Sequence, residues 1–427
     1  MIDNTRLTSR SFAVPLSSSR TASPDTASAG PTPQRMTPAE RRSSAALAGV
    51  YALRMLGLFI VLPVFALQAR HYPGGDDPAL VGLAMGIYGL TQALLQVPLG
   101  MASDRLGRKP VILAGLALFV LGSVVAAWAP TMAWLVAGRA LQGAGAVSAA
   151  VTALLADLTR DAVRTKAMAL VGISIALMFA LSLVAAPLLV SWVGLSGLFA
   201  VTAGLSLTAM AVVAWVVPPE PVHAPGAPRA RLAELLRNTE LLRVDLGVFV
   251  LHAAQIMTWL SVPALLVQAG LPTAQHWQVY LPAVLASLLI VGGLLFRLER
   301  KGLFRAVYLG AIALIGLVQL GFIGQLHAPS LAVLGVLLCL YFVGFNTQEA
   351  GQPSLVSRLA PAQQRGTALG IYNTLMSLGI FAGGAVGGVV ARVWGPVGIF
   401  ALSTALVVLW LIAAWPMKPM ALDSARR

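Results

Sequence analysis

The sequence predicts an all-α integral membrane protein: twelve transmembrane helices in two six-helix bundles, related by a pseudo-two-fold axis along the membrane normal. Three observations predict it. First, the 427 residues are 58% hydrophobic and only 10% charged, too little charge to cover a soluble surface. Second, the apolar residues come in runs of about twenty, the helical length that crosses a hydrocarbon core. The runs do not alternate in polarity, as the strands of an outer-membrane barrel do. Third, the chain repeats short patterns after about two hundred residues.

In chain order, residues 1–44 are rich in Ser, Thr, Pro and Arg and lack an apolar face. They predict a disordered tail, with no apolar core before a cleavage site and so no signal peptide. Spans 1–6 are predicted at 45–69, 80–102, 110–128, 131–156, 165–190 and 197–217. Residues 218–243 follow, with Pro218, Pro219, Pro221, Pro225 and Pro228, then Arg229, Arg231, Arg237 and Arg243. This stretch reads as a linker. Spans 7–12 are predicted at 244–268, 277–297, 303–325, 331–356, 366–391 and 395–415, and 416–427 form a second tail. The domains expected are therefore 45–217 and 244–415.

The formal charge is +14, and its distribution argues against a nucleic-acid partner. Basic residues fill alternate loops: Arg105, Arg108 and Lys109; Arg160, Arg164 and Lys166; Arg297, Arg300, Lys301 and Arg305; Arg358 and Arg365. The positive-inside rule places that side, with both termini, in the cytoplasm of a bacterial inner membrane. One cysteine, Cys339, makes an intrachain disulfide impossible, and the five scattered histidines have no metal-ligand spacing. No nucleophile–base pair and no phosphate-binding Gly-Lys-Ser/Thr loop is present. The expectation is no enzyme, no cofactor and no metal.

Pro63–Gln68 in span 1 parallels Pro263–Gln268 in span 7. Asp157–Arg164 after span 4 parallels Arg358–Arg365 after span 10, and Gly293–Lys301 after span 8 is a worn copy of Gly100–Lys109. Fixed-period similarity marks a structural repeat. Parallel six-span repeats place substrate near mid-membrane between two rocking halves.

Gly100–Pro110 reads GMASDRLGRKP, a dense charge cluster between two apolar runs. It resembles the loop 2–3 signature of the major facilitator superfamily, G-x-x-x-D-R-x-G-R-K, with Gly100, Asp104, Arg105, Gly107, Arg108 and Lys109 at its fixed positions. Leu135–Gly145, with Arg139 and Gln142, resembles the span 4 motif of proton-coupled members. Leu56-Gly57 with Pro63 resembles the span 1 motif of twelve-span drug:proton antiporters, with Ala66 where a second proline is expected. Leu53–Gly57 and Phe345–Ala350 resemble the YajR-like branch of proton-driven effluxers. The similarity runs from about residue 45 to about 415. In span 5, Ala185-Ala186-Pro187 lacks the glycine of the antiporter motif.

The resemblance implies a cytoplasmic latch. Asp104 would meet the positive N-terminus of span 11 near Gly366 and Thr367, and Arg108 would pair with Asp157, together latching the halves on the cytoplasmic side in the outward-open state. Ionisable groups inside spans are functional candidates by default, which selects Arg54, Arg139, His252 and Glu349 for proton or substrate coupling. Desolvation disfavours the charged form of either titratable member of that set, His252 or Glu349. Asp245, near the edge of span 7, is a further acid. Tyr88, Gln92, Gln96, Asn346 and Tyr372 are candidates to line a cavity. Gly82/Gly86 and Gly379/Gly383/Gly387 read as close helix contacts.

The reading is a monomeric secondary transporter in the lipid bilayer, exporting small amphipathic compounds against proton entry by alternating access. Symport or uniport of a small metabolite is the alternative. A membrane receptor or signalling scaffold is the alternative of another class.

Overall fold

The computed structural model describes residues 35–145, 147–220, 232–295, 297–298, 301–361 and 364–417. The tail 1–34, the linker piece Pro221–Arg231, Glu299, Arg300 and the tail 418–427 lie outside the described residues. The helices belong to one unit, Met36–Arg427, distinct from Met1–Arg35.

Span 1 is α1 (Pro38–Phe59) and α2 (Leu62–Gln68). Spans 2 and 3 are α3 (Pro78–Leu106) and α4 (Arg108–Ala127). Span 4 is α5 (Met132–Ala144) followed by α6 (Ser148–Asp157). One helix, α7 (Asp161–Ala211), carries spans 5 and 6. The short α8 (Leu232–Leu235) precedes α9 (Thr239–Gln268), which is span 7. Spans 8, 9 and 10 are α10 (Trp277–Ile290), α11 (Phe304–Gly324) and α12 (Leu331–Leu359). The last helix, α13 (Arg365–Ala414), carries spans 11 and 12. Among the described residues, ten helical stretches are long and apolar enough to cross a membrane, and two of them are double, which gives twelve spans.

The doubled helices turn at Gly194 (φ 64°) and Gly395 (φ 63°). Only glycine occupies that region without strain. Both turns fall in or beside the gaps expected between spans 5 and 6 and between spans 11 and 12.

Two boundaries differ from expectation. Span 1 begins at Pro38, so 38–44 are helix and not tail. Thr37 and Glu40 form a capping box, in which Glu40 N–H donates to Thr37 Oγ1 (3.2 Å) and Thr37 N–H donates to the Glu40 carboxylate (2.8 Å). Thr-x-x-Glu satisfies two otherwise orphaned donors and starts the helix early. Span 7 begins at Thr239 rather than 244, because Asn238 accepts the N–H groups of Glu240 and Leu241.

The repeat is visible in the backbone. The positive-φ glycines fall into three pairs offset by about two hundred residues: Gly74 with Gly270, Gly107 with Gly302, and Gly194 with Gly395. Tertiary contacts repeat too. Lys109 at the start of span 3 donates to the Val217 carbonyl after span 6 (2.8 Å), and Arg305 at the start of span 9 donates to the Met417 carbonyl after span 12 (2.9 Å).

The two halves meet unevenly. At the end of the bundle away from the linker, a Cβ placed on Gly82 would lie 2.2 Å from the Gly384 carbonyl oxygen. One on Gly89 would lie 2.2 Å from that of Ser377. Spans 2 and 11 are thus in backbone contact there, and Arg392 reaches Asp77 at 3.5 Å. Toward the linker end the same two spans part. A Cβ on Gly366 or Gly370 would meet nothing within 4 Å, and one on Gly100 would meet only Ala149 of its own half at 3.8 Å. Leu94, Val97 and Met101 of span 2 are exposed. The structure is closed at the far end and open at the linker end.

Candidate functional site

Three groups of polar residues stand out against the apolar helices. The first is the loop between spans 2 and 3. Gly107 (φ 97°) turns the chain sharply, and α4 starts at the next residue. Arg108 pairs with Asp104, with Asp157 Oδ2 (3.3 Å) and with Ser103 Oγ (2.7 Å). The Arg108–Asp157 pair expected from the motif is therefore present.

Asp104 does not meet span 11 in this conformation. It is 61% exposed and bound to Arg108, while Gly366 at the start of span 11 faces open space. The acid at a helix N-terminus is instead Glu220, which accepts the Arg108 backbone N–H at 2.5 Å. Thr367 sits one residue on, in the first turn of α13. Arg105 and Lys109 flank the turn, Lys109 tying span 3 to the end of span 6.

A neighbouring acid, Glu40, holds the loop after span 4. Its carboxylate accepts from Arg160 Nε (2.7 Å), Nη2 (3.0 Å) and backbone N–H (3.1 Å). This two-pronged geometry keeps the Arg160 guanidinium above its ordinary pKa. Neither Glu40 nor Glu220 has a local sequence signal for its partner, since both contacts are more than a hundred residues long.

The second group holds both intramembrane arginines. Arg54 and Arg139 are almost fully buried. Arg54 donates to Tyr88 Oη (2.8 Å) and Ser148 Oγ (3.1 Å). Arg139 donates to Gln142 Oε1 (2.9 Å) and the Ala84 carbonyl (3.3 Å), and its guanidinium lies 5.2 Å from the centre of the Tyr88 ring. Tyr88 thus serves one cation with its hydroxyl and the other with its ring face. Among the described residues no carboxylate forms an ion pair with either arginine, so the first half carries two buried positive charges.

The third group lies in the second half and holds acids. His252 of span 7 and Glu349 of span 10 are brought together, with Nε2 and Oε1 3.2 Å apart. His252 is 7% exposed and Glu349 38%. His252 Nδ1 faces the Val248 carbonyl at 3.0 Å, and Phe345 packs edge-on against the imidazole. A carbonyl can only accept, so Nδ1 carries a hydrogen. Nε2 therefore faces the Glu349 carboxyl, whose buried Oε1 has no hydrogen-bond partner among the described residues.

The other polar candidates mostly join helices. Gln92 donates to Ser377 Oγ across the halves (3.1 Å), Asn346 donates to Ser287 Oγ (3.0 Å), and the Tyr372 hydroxyl donates to Gln352 Oε1 (3.4 Å). Gln96 is buried with no partner for its Oε1. Such interhelical bonds hold membrane bundles together. Gly379 and Gly383 lie against the backbone of span 7 at Phe249 and Ala253, the close contact expected of them. Among the described residues no three His, Cys, Asp or Glu side chains are grouped to hold a metal ion.

The family model of the Major Facilitator Superfamily matches residues 47–383. "Inner membrane transport protein YajR" of Escherichia coli (strain K12) is 40% identical over 388 residues, covering 90% of this chain and 85% of that protein. "Multidrug resistance protein MdtH" of Proteus mirabilis (strain HI4320) is 29% identical over 357 residues, covering 78% and 82% respectively. Among solved structures, the human organic anion transporter MFSD10 (TETRAN) superposes with a TM-score of 0.66 at 20% identity. The match covers 88% of this chain and 100% of that one.

Proposed function

The chain belongs to the Major Facilitator Superfamily, and we propose that it exports small amphipathic compounds across the bacterial inner membrane in exchange for protons. It is a multi-pass membrane transporter and not an enzyme. The observation that carries the proposal is the His252–Glu349 pair. Proton coupling needs a group that titrates inside the membrane and communicates with a moving part. In this reading a proton taken up by the pair sits between spans 7 and 10. Losing it leaves a carboxylate facing the lone pair of a neutral imidazole, which is repulsive. Proton release therefore pushes the two spans apart, and proton binding draws them together. The name of the relative MdtH supports the drug-like substrate class.

In this reading the linker end is cytoplasmic, as is each terminus, and the structure is the inward-open state. The halves 45–217 and 244–415 rock as bodies about mid-membrane. In the opposite state Asp104 leaves Arg108 and meets the N-terminus of span 11 at Gly366–Thr367, where the helix dipole favours an anion. Arg54 and Arg139 keep the first half positive throughout, and the protein works as a monomer.

The test is proton flux in liposomes containing purified protein, screened against a compound panel. A compound that drives proton movement in the native chain, and fails to do so in His252→Ala and Glu349→Gln, supports exchange. Compound flux that ignores the pH gradient would leave uniport in its place.

A further inference from the structure

We propose that Asp245 is a second proton-binding site, filled in this conformation and linked through Tyr372 to the His252–Glu349 pair. The inference deepens the exchange reading and rests on it for the use to which the proton is put.

Asp245 is 5% exposed, and its Oδ1 is buried without a hydrogen-bond partner. It lies in span 7, seven residues before His252, which is two helical turns along the same face and about 10 Å. Among the described residues no cation forms an ion pair with it. Arg243 pairs with Glu240, and Arg305 donates to the Trp415 and Met417 carbonyls.

The titratable groups from the packed elements are Tyr372 of span 11, Glu349 of span 10 and Tyr308 of span 9. Tyr372 is within electrostatic reach of Glu349, Tyr308 and Asp245 together. From span 12, Trp410 packs against span 7 two residues on, where a Cβ on Gly247 would lie 2.6 Å from its Nε1. A carboxylate with a buried oxygen and no counter-charge is costly for a membrane protein to hold. The neutral acid removes that cost.

Release breaks the Oδ–H bond of Asp245 and passes the proton to water at the open linker end. The carboxylate left behind keeps a buried oxygen with no donor to meet it. Deprotonation therefore works against this arrangement around span 7, in the same direction as deprotonation of the His252–Glu349 pair. Tyr372, bonded to Gln352, lies within electrostatic reach of both sites, so the loss of one proton is felt at the other.

The experiment is infrared difference spectroscopy of the purified full chain between acid and alkaline pH, reading the protonated-carboxyl C=O band. It compares the native protein with Asp245→Asn, Glu349→Gln and the double variant. Asp245→Asn is expected to lose a component that Glu349→Gln retains, and the double variant to lose both. A spectrum of Asp245→Asn identical to the native one would overturn the inference. A second measurement needs no variant: dicyclohexylcarbodiimide, which attacks protonated buried carboxyls, is applied to the native chain and its adducts are mapped. An Asp245 adduct that declines as pH rises supports the site, and no adduct at any pH counts against it. Neither readout involves flux. A failed flux assay with the Asp245 component intact sinks the exchange reading alone, and an absent component beside working exchange sinks this inference alone.

Discussion

The Glu220 carboxylate accepts the backbone N–H of Arg108 at 2.5 Å, at the first residue of span 3. An anion at that position faces the positive end of the helix, and Gly107 lets the chain turn tightly enough for it to arrive. A Cβ on Gly107 would lie 2.3 Å from Glu220 Oε1. Glu220→Gln is expected to cost about 0.3–1 kcal/mol, since the amide keeps an acceptor but loses the charge. Gly107→Ala combines the clash with a φ that only glycine adopts freely, and should cost more, about 1–3 kcal/mol. Thermal unfolding in detergent orders the two. Equal losses would remove the claim that backbone conformation dominates at this turn.

Tyr88 carries two separable loads. Tyr88→Phe removes the hydroxyl that Arg54 donates to and keeps the ring beneath Arg139. A hydrogen bond to a charged group is worth about 1.5–3 kcal/mol. Tyr88→Ala also forfeits a desolvated cation–π contact of about 2 kcal/mol and opens a cavity. Unfolding measurements should therefore place Tyr88→Phe between native and Tyr88→Ala. If the two variants are equally unstable, the ring contact contributes nothing.

How much of this was legible depends on the range of the interaction. The spans, the interhelical turns at Gly194 and Gly395 and the repeat follow from hydropathy and glycine placement, which are local. The Arg108–Asp157 pair follows from the family resemblance of the loop 2–3 motif and not from the residues alone. The early start of span 1 was also written locally, in Thr37 and Glu40, but the basic and small polar residues around them read as tail. Glu220, the second role of Glu40, and the meeting of His252 with Glu349 were not legible as contacts, because a lone acid names no distant partner. Asp104 illustrates a further limit: a motif names no conformation, and in this structure the residue turns to Arg108.

Glu40 joins a helix cap to the loop after span 4. Glu40→Ala removes the capping box, worth about 1 kcal/mol, and releases Arg160 from a bidentate pair. Hydrogen exchange should rise at residues 38–44 and around Arg160 together, while spans 7–12 keep their native protection. Exchange rising at 38–44 alone would show that the cap and the ion pair act independently.

The far-end closure has two candidate fasteners, and their magnitudes differ. Asp77–Arg392 is 3.5 Å long with both side chains partly solvent-exposed, and pairs of that kind contribute about 0–1 kcal/mol. The glycine seam is different in kind. A Cβ on Gly384 would lie 2.4 Å from the Gly82 carbonyl oxygen and 2.6 Å from the Gly86 nitrogen, and backbone cannot swing aside as a side chain does. Gly384→Val must separate spans 2 and 11 at this end, so the closed state becomes inaccessible. Asp77→Asn should leave transport near the native rate, whereas Gly384→Val should abolish it while the protein still inserts and folds. The check is labelling of Ala79→Cys, on the span 2 side of the seam, by a membrane-impermeant maleimide. Its rate should rise severalfold in the Gly384→Val background and stay near native with Asp77→Asn. A severalfold rise with Asp77→Asn instead would make the ion pair, not the glycines, the fastener.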